Sequence, residues 1–169
     1  MTGMELALEN GARSGLPPPK RTPSAGGDQM ATITRPPATG IYSVELGATL
    51  EAARAARLYV VGVLTGWAVP ENLIDKARLL TSELASNAIT HGQDQGGTFT
   101  LEVRSFGCCL GVDVADHSPD PPVVRSVEVD EENGRGLLLV AEVADSWGYY
   151  FGNGRKHVWF HLHKLAGTG

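Results

Sequence analysis

Hydrophobic residues in the first half of the folded region recur at spacings typical of one strand and then two helices. Residues 41–48, IYSVELGA, alternate between apolar and polar and predict a strand. Residues 49–67 are rich in Ala, Leu and Arg and predict a helix with Thr49 as its N-cap. Pro70 then opens a second predicted helix over 71–91. Apolar residues at steps of three and four form one stripe along it: Leu73, Ile74, Ala77, Leu80, Leu84 and Ala88.

The pattern in the second half of the chain predicts strands and turns with one further helix. Alternating positions predict strands over 97–106 and 109–116, with a turn near Gly107. The polar, proline-rich segment 117–133 predicts a long loop, and residues 134–145 predict a helix entered through glycines. SWGYYF and RKHVWFHLHKL then predict a closing hairpin around the turn GNG.

The order β-α-α-β-β-loop-α-β-β predicts an α+β fold. Helices grouped against a mostly antiparallel sheet would form a two-layer sandwich, with the folded domain over residues 41–165. Residues 1–40 are rich in Pro and Gly and carry few large apolar side chains, so we expect a disordered tail. A proline-rich docking peptide is the alternative for this tail. No internal repeat is evident.

The net charge and the cysteine content restrict the classes of protein to which the chain can belong. The chain has 169 residues and a net charge of -5, which argues against general binding to nucleic acid or membranes, because both need a basic surface. We see no targeting segment, and the apolar stretch LYVVGVL is too short to cross a bilayer. Cys108 and Cys109 are adjacent, so a mutual disulfide would be strained. We expect free thiols and a cytoplasmic protein.

Three polar residues lie at four-residue steps along the second predicted helix. Glu83, Asn87 and His91 share one edge of it, because residues four apart on a helix are neighbours. That edge borders the apolar stripe. A carboxylate and an amide carbonyl are hard oxygen groups, suited to Mg²⁺ or to a reacting hydroxyl. A solvated helix edge would show the same pattern, so these residues alone leave both interpretations open.

Two later segments carry candidate ligand groups, each with an ordinary alternative. In VDVADHSPDPP, Asp116 ends an apolar strand and Ser118 follows in a sharp turn. Asp116 could accept a hydrogen bond from an amine such as adenine N6, or it could bond its own backbone. In ENGRGLLLV, Gly134 and Gly136 bracket Arg135 before an apolar helix, which suits a triphosphate. A flexible glycine loop is the alternative, and neither the P-loop nor the Rossmann pattern fits.

In combination, these segments resemble a known family. ELASNA, DHSPDPP and GRGLLLV follow one another as the N, G1 and G2 boxes do in the histidine kinase/Hsp90-like ATPase superfamily. The flanking SELASNAITHG, SWG and KHVWF resemble more closely its bacterial branch of anti-sigma-factor serine/threonine kinases. The resemblance covers about residues 41–165 and implies a Bergerat-type ATP-binding fold.

The resemblance implies a role for each matched residue of the first two boxes. Asn87 would coordinate the Mg²⁺ that bridges the phosphates of ATP, with His91 one helical turn further along the site. Glu83 would be the general base that takes the proton from a substrate serine hydroxyl. Asp116 would recognise adenine through its amino group, with Ser118 beside it in the binding segment.

The resemblance extends to the third box and the last strand. The backbone of Gly134–Gly136 would cradle the phosphates, with Arg135 near the γ-phosphate and Leu137 completing the binding segment. Residues 119–133 would form a lid. His157 stands where the family often has a small hydroxyl residue that supports the adenine side, and a ring nitrogen could replace that hydroxyl.

The resemblance also implies partners. We expect an ATP-binding anti-sigma regulatory factor that binds a sigma factor, phosphorylates an anti-anti-sigma protein and forms a homodimer. A non-catalytic ATP-binding regulatory module is the alternative. A sensor histidine kinase fragment is disfavoured, because no paired-helix segment carries a phospho-accepting histidine. His157, His161 and His163 share one face of the last strand, which we interpret as a solvated face rather than a metal site.

Overall fold

The computed structural model of the chain describes residues 40–92, 97–124 and 136–164. Within these ranges the element order is the predicted one. The elements are β1 (Gly40–Gly47), α1 (Leu50–Gly66), α2 (Glu71–Gly92), β2 (Thr98–Phe106), β3 (Cys109–Asp116), α3 (Gly136–Val143), β4 (Ser146–Gly152) and β5 (Arg155–His163). Of the tail predicted over residues 1–40, Gly40 is the first residue of β1, and the rest lies outside the described residues, as does most of the predicted lid.

The strands form one antiparallel sheet of five strands in the order β1-β2-β3-β5-β4. Tight turns join two of the pairs. Gly107, with φ of 55°, lies in the turn between β2 and β3. Asn153 and Gly154, with φ of 53° and 72°, turn between β4 and β5, and positive φ at both positions matches the twist of a two-residue hairpin. The hairpin predicted around GNG is confirmed.

One face of the sheet carries the helices. On β2 and β5, buried side chains alternate with partly exposed ones, as the period of a strand requires. The residues buried against the helices are Phe99, Leu101, Val103, Val158, Phe160 and Leu162. The predicted α+β two-layer sandwich is therefore confirmed. Among the described residues, no helix combines the length and apolarity needed to cross a bilayer.

Helix α2 is the central element of the helical layer. It contacts β2, β3 and β5 below it, and both α1 and α3 beside it. Leu80, Leu84 and Ala88 of the predicted stripe are buried. Thr49 precedes α1 with extended backbone, as an N-cap does, although its side chain makes no capping hydrogen bond.

Two adjacent leucines of α2 test the assignment of its buried face. Leu80 is 0% exposed and Leu79 is 43% exposed. Leu80→Ala should lower the free energy of unfolding by about 2–5 kcal/mol, because it removes buried methyl groups and leaves a cavity. Leu79→Ala, the matched control, should cost no more than about 1 kcal/mol. Urea denaturation of both variants measures this difference, and equal losses would contradict the assignment.

Candidate functional site

The polar edge predicted on α2 lies at the border of its buried face. Glu83 and Asn87 are half-buried, each next in sequence to a buried residue, Leu84 or Ala88. His91 is exposed in the last turn of α2. The burial therefore differs along this edge, since only Glu83 and Asn87 are partly enclosed by the fold.

The Glu83 carboxylate meets the beginning of α3. A methyl group on Gly136 would lie 2.6 Å from Oε2 of Glu83, closer than atoms can approach. The glycine thus allows the two helices to bring a carboxylate against the first described turn of α3. Free N–H groups at a helix N-terminus attract anions, and the Glu83 carboxylate lies beside this end of α3.

Asp116 anchors the turn that follows β3. The backbone N–H of Ser118 donates to Oδ1 of Asp116 at 2.7 Å, and the N–H of Asp120 donates to Oγ of Ser118 at 3.4 Å. Both Asp116 and Ser118 are buried. The backbone bond considered as the alternative for Asp116 is therefore present, and it engages one of the two carboxylate oxygens.

A buried lysine approaches the other oxygen. Nζ of Lys156 lies 3.4 Å from Oδ2 of Asp116, and each residue is 1% exposed. The sequence reasoning missed Lys156. The signal was available, because Val158 and Phe160 face the helices, and one more two-residue step back along β5 reaches Lys156.

The structure does not bring His157 to Asp116. The alternation of β5 puts His157 on the face opposite the helices, where its Nδ1 lies 2.8 Å from Oδ1 of Asp113. Its ring stacks on Tyr150 with centroids 4.4 Å apart. Burial, followed by the Asp113 carboxylate, raises the pKa of Tyr150 to about 12. The position that faces Asp116 from β5 belongs to Lys156.

The third box is described only in part. Gly134 and Arg135 lie outside the described residues, as do residues 125–133 of the predicted lid. Leu137 is buried in the hydrophobic core, so its side chain supports the fold. Among the described elements, α3 meets α2 through Gly136 and Glu83.

The donor set at this edge fits magnesium better than a transition metal. Within the described ranges, no group of three or more His, Cys, Asp or Glu side chains could hold a metal ion. Mg²⁺ is usually held by one or two protein oxygens together with substrate phosphates and waters. The side-chain carbonyl of Asn87 on this helix edge is an oxygen donor of that kind.

Comparison with known proteins places the chain in a family. The family model for the histidine kinase-like ATPase domain matches residues 46–162, which is more than half of the chain. The chain therefore belongs to this family, and all described residues of the candidate site lie within the match. No curated protein matches the chain significantly.

A solved structure with the same fold supports the architecture. The crystal structure of the RsbU and RsbW domains of Rv1364c from Mycobacterium tuberculosis is similar to this chain, with a TM-score of 0.58 and 18% sequence identity. The match covers 74% of this chain and 32% of that chain. This chain therefore spans about a third of the length of the solved one, and the likeness concerns the fold.

Two glycines provide a test of the contact between Glu83 and α3. Gly136→Ala should force Glu83 or the start of α3 to move, and we expect Mg·ATP to bind about tenfold more weakly, a change of about 1.4 kcal/mol. Gly62→Ala on α1 is the control, since its methyl group meets nothing within 4 Å. It should keep the nucleotide affinity and add about 0.5–1 kcal/mol of stability. Isothermal titration and urea denaturation measure both quantities; unchanged affinity in Gly136→Ala would exclude a role for this contact in nucleotide binding.

Proposed function

We propose that the chain is an ATP-binding anti-sigma regulatory factor with serine kinase activity toward an anti-anti-sigma protein. The observation that carries the proposal is the contact of the Glu83 carboxylate with Gly136 at the start of α3. It sets a proton acceptor beside a potential phosphate-binding helix end, inside a domain of the histidine kinase-like ATPase family.

Asn87 is the proposed magnesium ligand. It lies one helical turn from Glu83 on the same edge of α2 and is half-buried, so its side chain is partly enclosed by the fold. When bound, Mg²⁺ would neutralise charge on the phosphates of ATP. The remaining work of the protein is to orient the phosphates and the incoming hydroxyl.

Glu83 is the proposed general base. Phosphoryl transfer depends mainly on positioning and charge stabilisation, and a carboxylate within reach of the attacking serine completes the arrangement by accepting its proton. The attacking serine oxygen would lie between the Glu83 carboxylate and the γ-phosphate held at α3, so that its proton passes to Glu83 as the oxygen bonds to phosphorus and the bond to ADP breaks. The close fit against Gly136 restricts where this carboxylate can lie.

The remaining boxes supply the groups that would bind the two ends of the nucleotide, its base and its phosphates. Asp116, oriented by the Ser118 backbone, would accept a hydrogen bond from the adenine amino group. The Gly134–Gly136 backbone and Arg135 would hold the phosphates, and residues 119–133 would close over them. His91, exposed at the end of α2, would contact the nucleotide only from the rim.

We infer the partners from the resemblance of the boxes and their flanking segments. The likeness in fold to a chain that contains an RsbW domain supports this inference. The proposed protein binds a sigma factor in the cytoplasm as a homodimer and thereby regulates transcription. Phosphorylation of the anti-anti-sigma protein on a serine would release that antagonist. The acidic balance of the chain agrees with protein partners rather than direct contact with nucleic acid.

Substitution of the two α2 residues separates binding from transfer. Glu83→Ala should keep Mg·ATP affinity and lower phosphate transfer by about 10²- to 10⁴-fold, because only the proton acceptor is lost. Asn87→Ala should weaken Mg·ATP binding itself by about tenfold or more. Isothermal titration gives the affinities, and transfer of radioactive γ-phosphate to anti-anti-sigma proteins of the same cell gives the activity.

Exposed residues of the same types serve as controls. Glu142→Ala on α3 and Asn72→Ala on α2 should leave binding and transfer at wild-type values, since both side chains are exposed and away from the contact with Gly136. Full transfer by Glu83→Ala would falsify its role as base. Wild-type affinity for Mg·ATP without any transfer would instead favour a non-catalytic ATP-binding regulator.

A further inference from the structure

A buried lysine faces the carboxylate to which we assign recognition of the nucleotide base. Lys156 and Asp116 pair directly across β5 and β3, and Nζ lies 3.4 Å from Oδ2. Lysine is almost never fully buried unless it is paired. The free-energy cost of removing two charges from water can exceed the free energy gained from their attraction. Stability alone is therefore a weak reason for a charged pair at this position.

The pair is oriented from both sides. The Ser118 N–H holds Oδ1 of Asp116 at 2.7 Å, so the turn after β3 sets the direction of the carboxylate. Lys156 leaves β5 on the face that also carries the buried Val158. An ammonium group has three N–H donors, and one carboxylate oxygen takes only one of them. The pair therefore presents a fixed acceptor beside a donor with further bonding directions.

We propose that Lys156 reads the base of the bound nucleotide together with Asp116, donating to N1 of adenine while Asp116 accepts from the 6-amino group. This inference rests on the proposed function. The Watson–Crick edge of adenine carries an amino donor at C6 beside the acceptor N1, which matches the order of the two protein groups.

A 6-oxopurine reverses both groups of that edge. It carries an acceptor oxygen at C6 and an N–H at N1. In the same pose the oxygen would face the Asp116 carboxylate and the N–H would face the Lys156 ammonium. Both contacts would be repulsive, so the pair selects adenine over guanine and hypoxanthine.

Both side chains are 1% exposed, so a base reaches them only when the groups that cover them move aside. The segment after β3, residues 117–124, contains neither helix nor strand and begins at the turn that Asp116 anchors. Movement of this segment is a direct way to open the pair to a base while the strands keep their register.

A nucleotide in which C–H replaces one ring nitrogen isolates the Lys156 contact. In 1-deaza-ATP a C–H group replaces N1, and the 6-amino group is retained. Isothermal titration of the full chain in magnesium buffer should show ATP binding about 10- to 100-fold more tightly than 1-deaza-ATP, as expected for a hydrogen bond from a charged donor. ITP should also bind at least about tenfold more weakly than ATP.

Variants then assign the preference to one side chain. Lys156→Met should bind ATP and 1-deaza-ATP with equal affinity, whereas Lys76→Met, at an exposed lysine of α2, should keep the wild-type preference. Because Lys156→Met leaves the Asp116 carboxylate buried without its cation, its folding must be checked by circular dichroism. Lys156→Gln keeps a neutral donor and should show an intermediate preference.

The outcomes separate this inference from the proposed function. If the wild-type chain binds ATP and 1-deaza-ATP equally well, Lys156 has no role in base recognition. The proposal that the chain binds ATP is then unaffected. A preference that survives in Lys156→Met overturns the role of Lys156 as well. No affinity for ATP contradicts the proposed function, and the inference fails with it. The comparison of two nucleotides on the wild-type chain needs no variant, so equal affinities overturn the role of Lys156 even if Lys156→Met does not fold.

Discussion

The packing of α2 across the sheet is the constraint on which the candidate site depends. Its buried leucine stripe, with Leu80 and Leu84 fully enclosed, fixes the rotation of the helix about its own axis. That rotation leaves Glu83 and Asn87 half-buried at the border of the core, with the Glu83 carboxylate against Gly136 of α3. The hydrophobic effect thereby positions two polar groups that local sequence preference alone could not hold in place.

A second constraint fixes a carboxylate at the end of β3 by means of a backbone turn and an ion pair. Asp116 is held by the turn it initiates and by the ammonium of Lys156 on the neighbouring strand. Such a pair is costly to desolvate, so it makes most physical sense where a ligand shares it. The two constrained regions, one on α2 and one on the sheet, would bind opposite ends of the same nucleotide.

Local patterns predict the elements well and the contacts between them poorly. Strand alternation and helical spacing locate every described element within about two residues, because the burial of one face imposes those periods. The contact of Glu83 with Gly136 joins helices far apart in sequence, and no local signal encodes it. His157 was assigned by resemblance, and a difference of one residue along a strand reverses the face, so the structure puts Lys156 beside Asp116 instead.

The most direct test of the central claim is a crystal structure of the chain with Mg²⁺ and a non-hydrolysable ATP analogue. We expect electron density for a metal at the Asn87 side chain, phosphates at the start of α3 beside Gly136, and the adenine ring against Asp116. A nucleotide bound elsewhere on the chain, or a metal without Asn87 among its ligands, would contradict that claim.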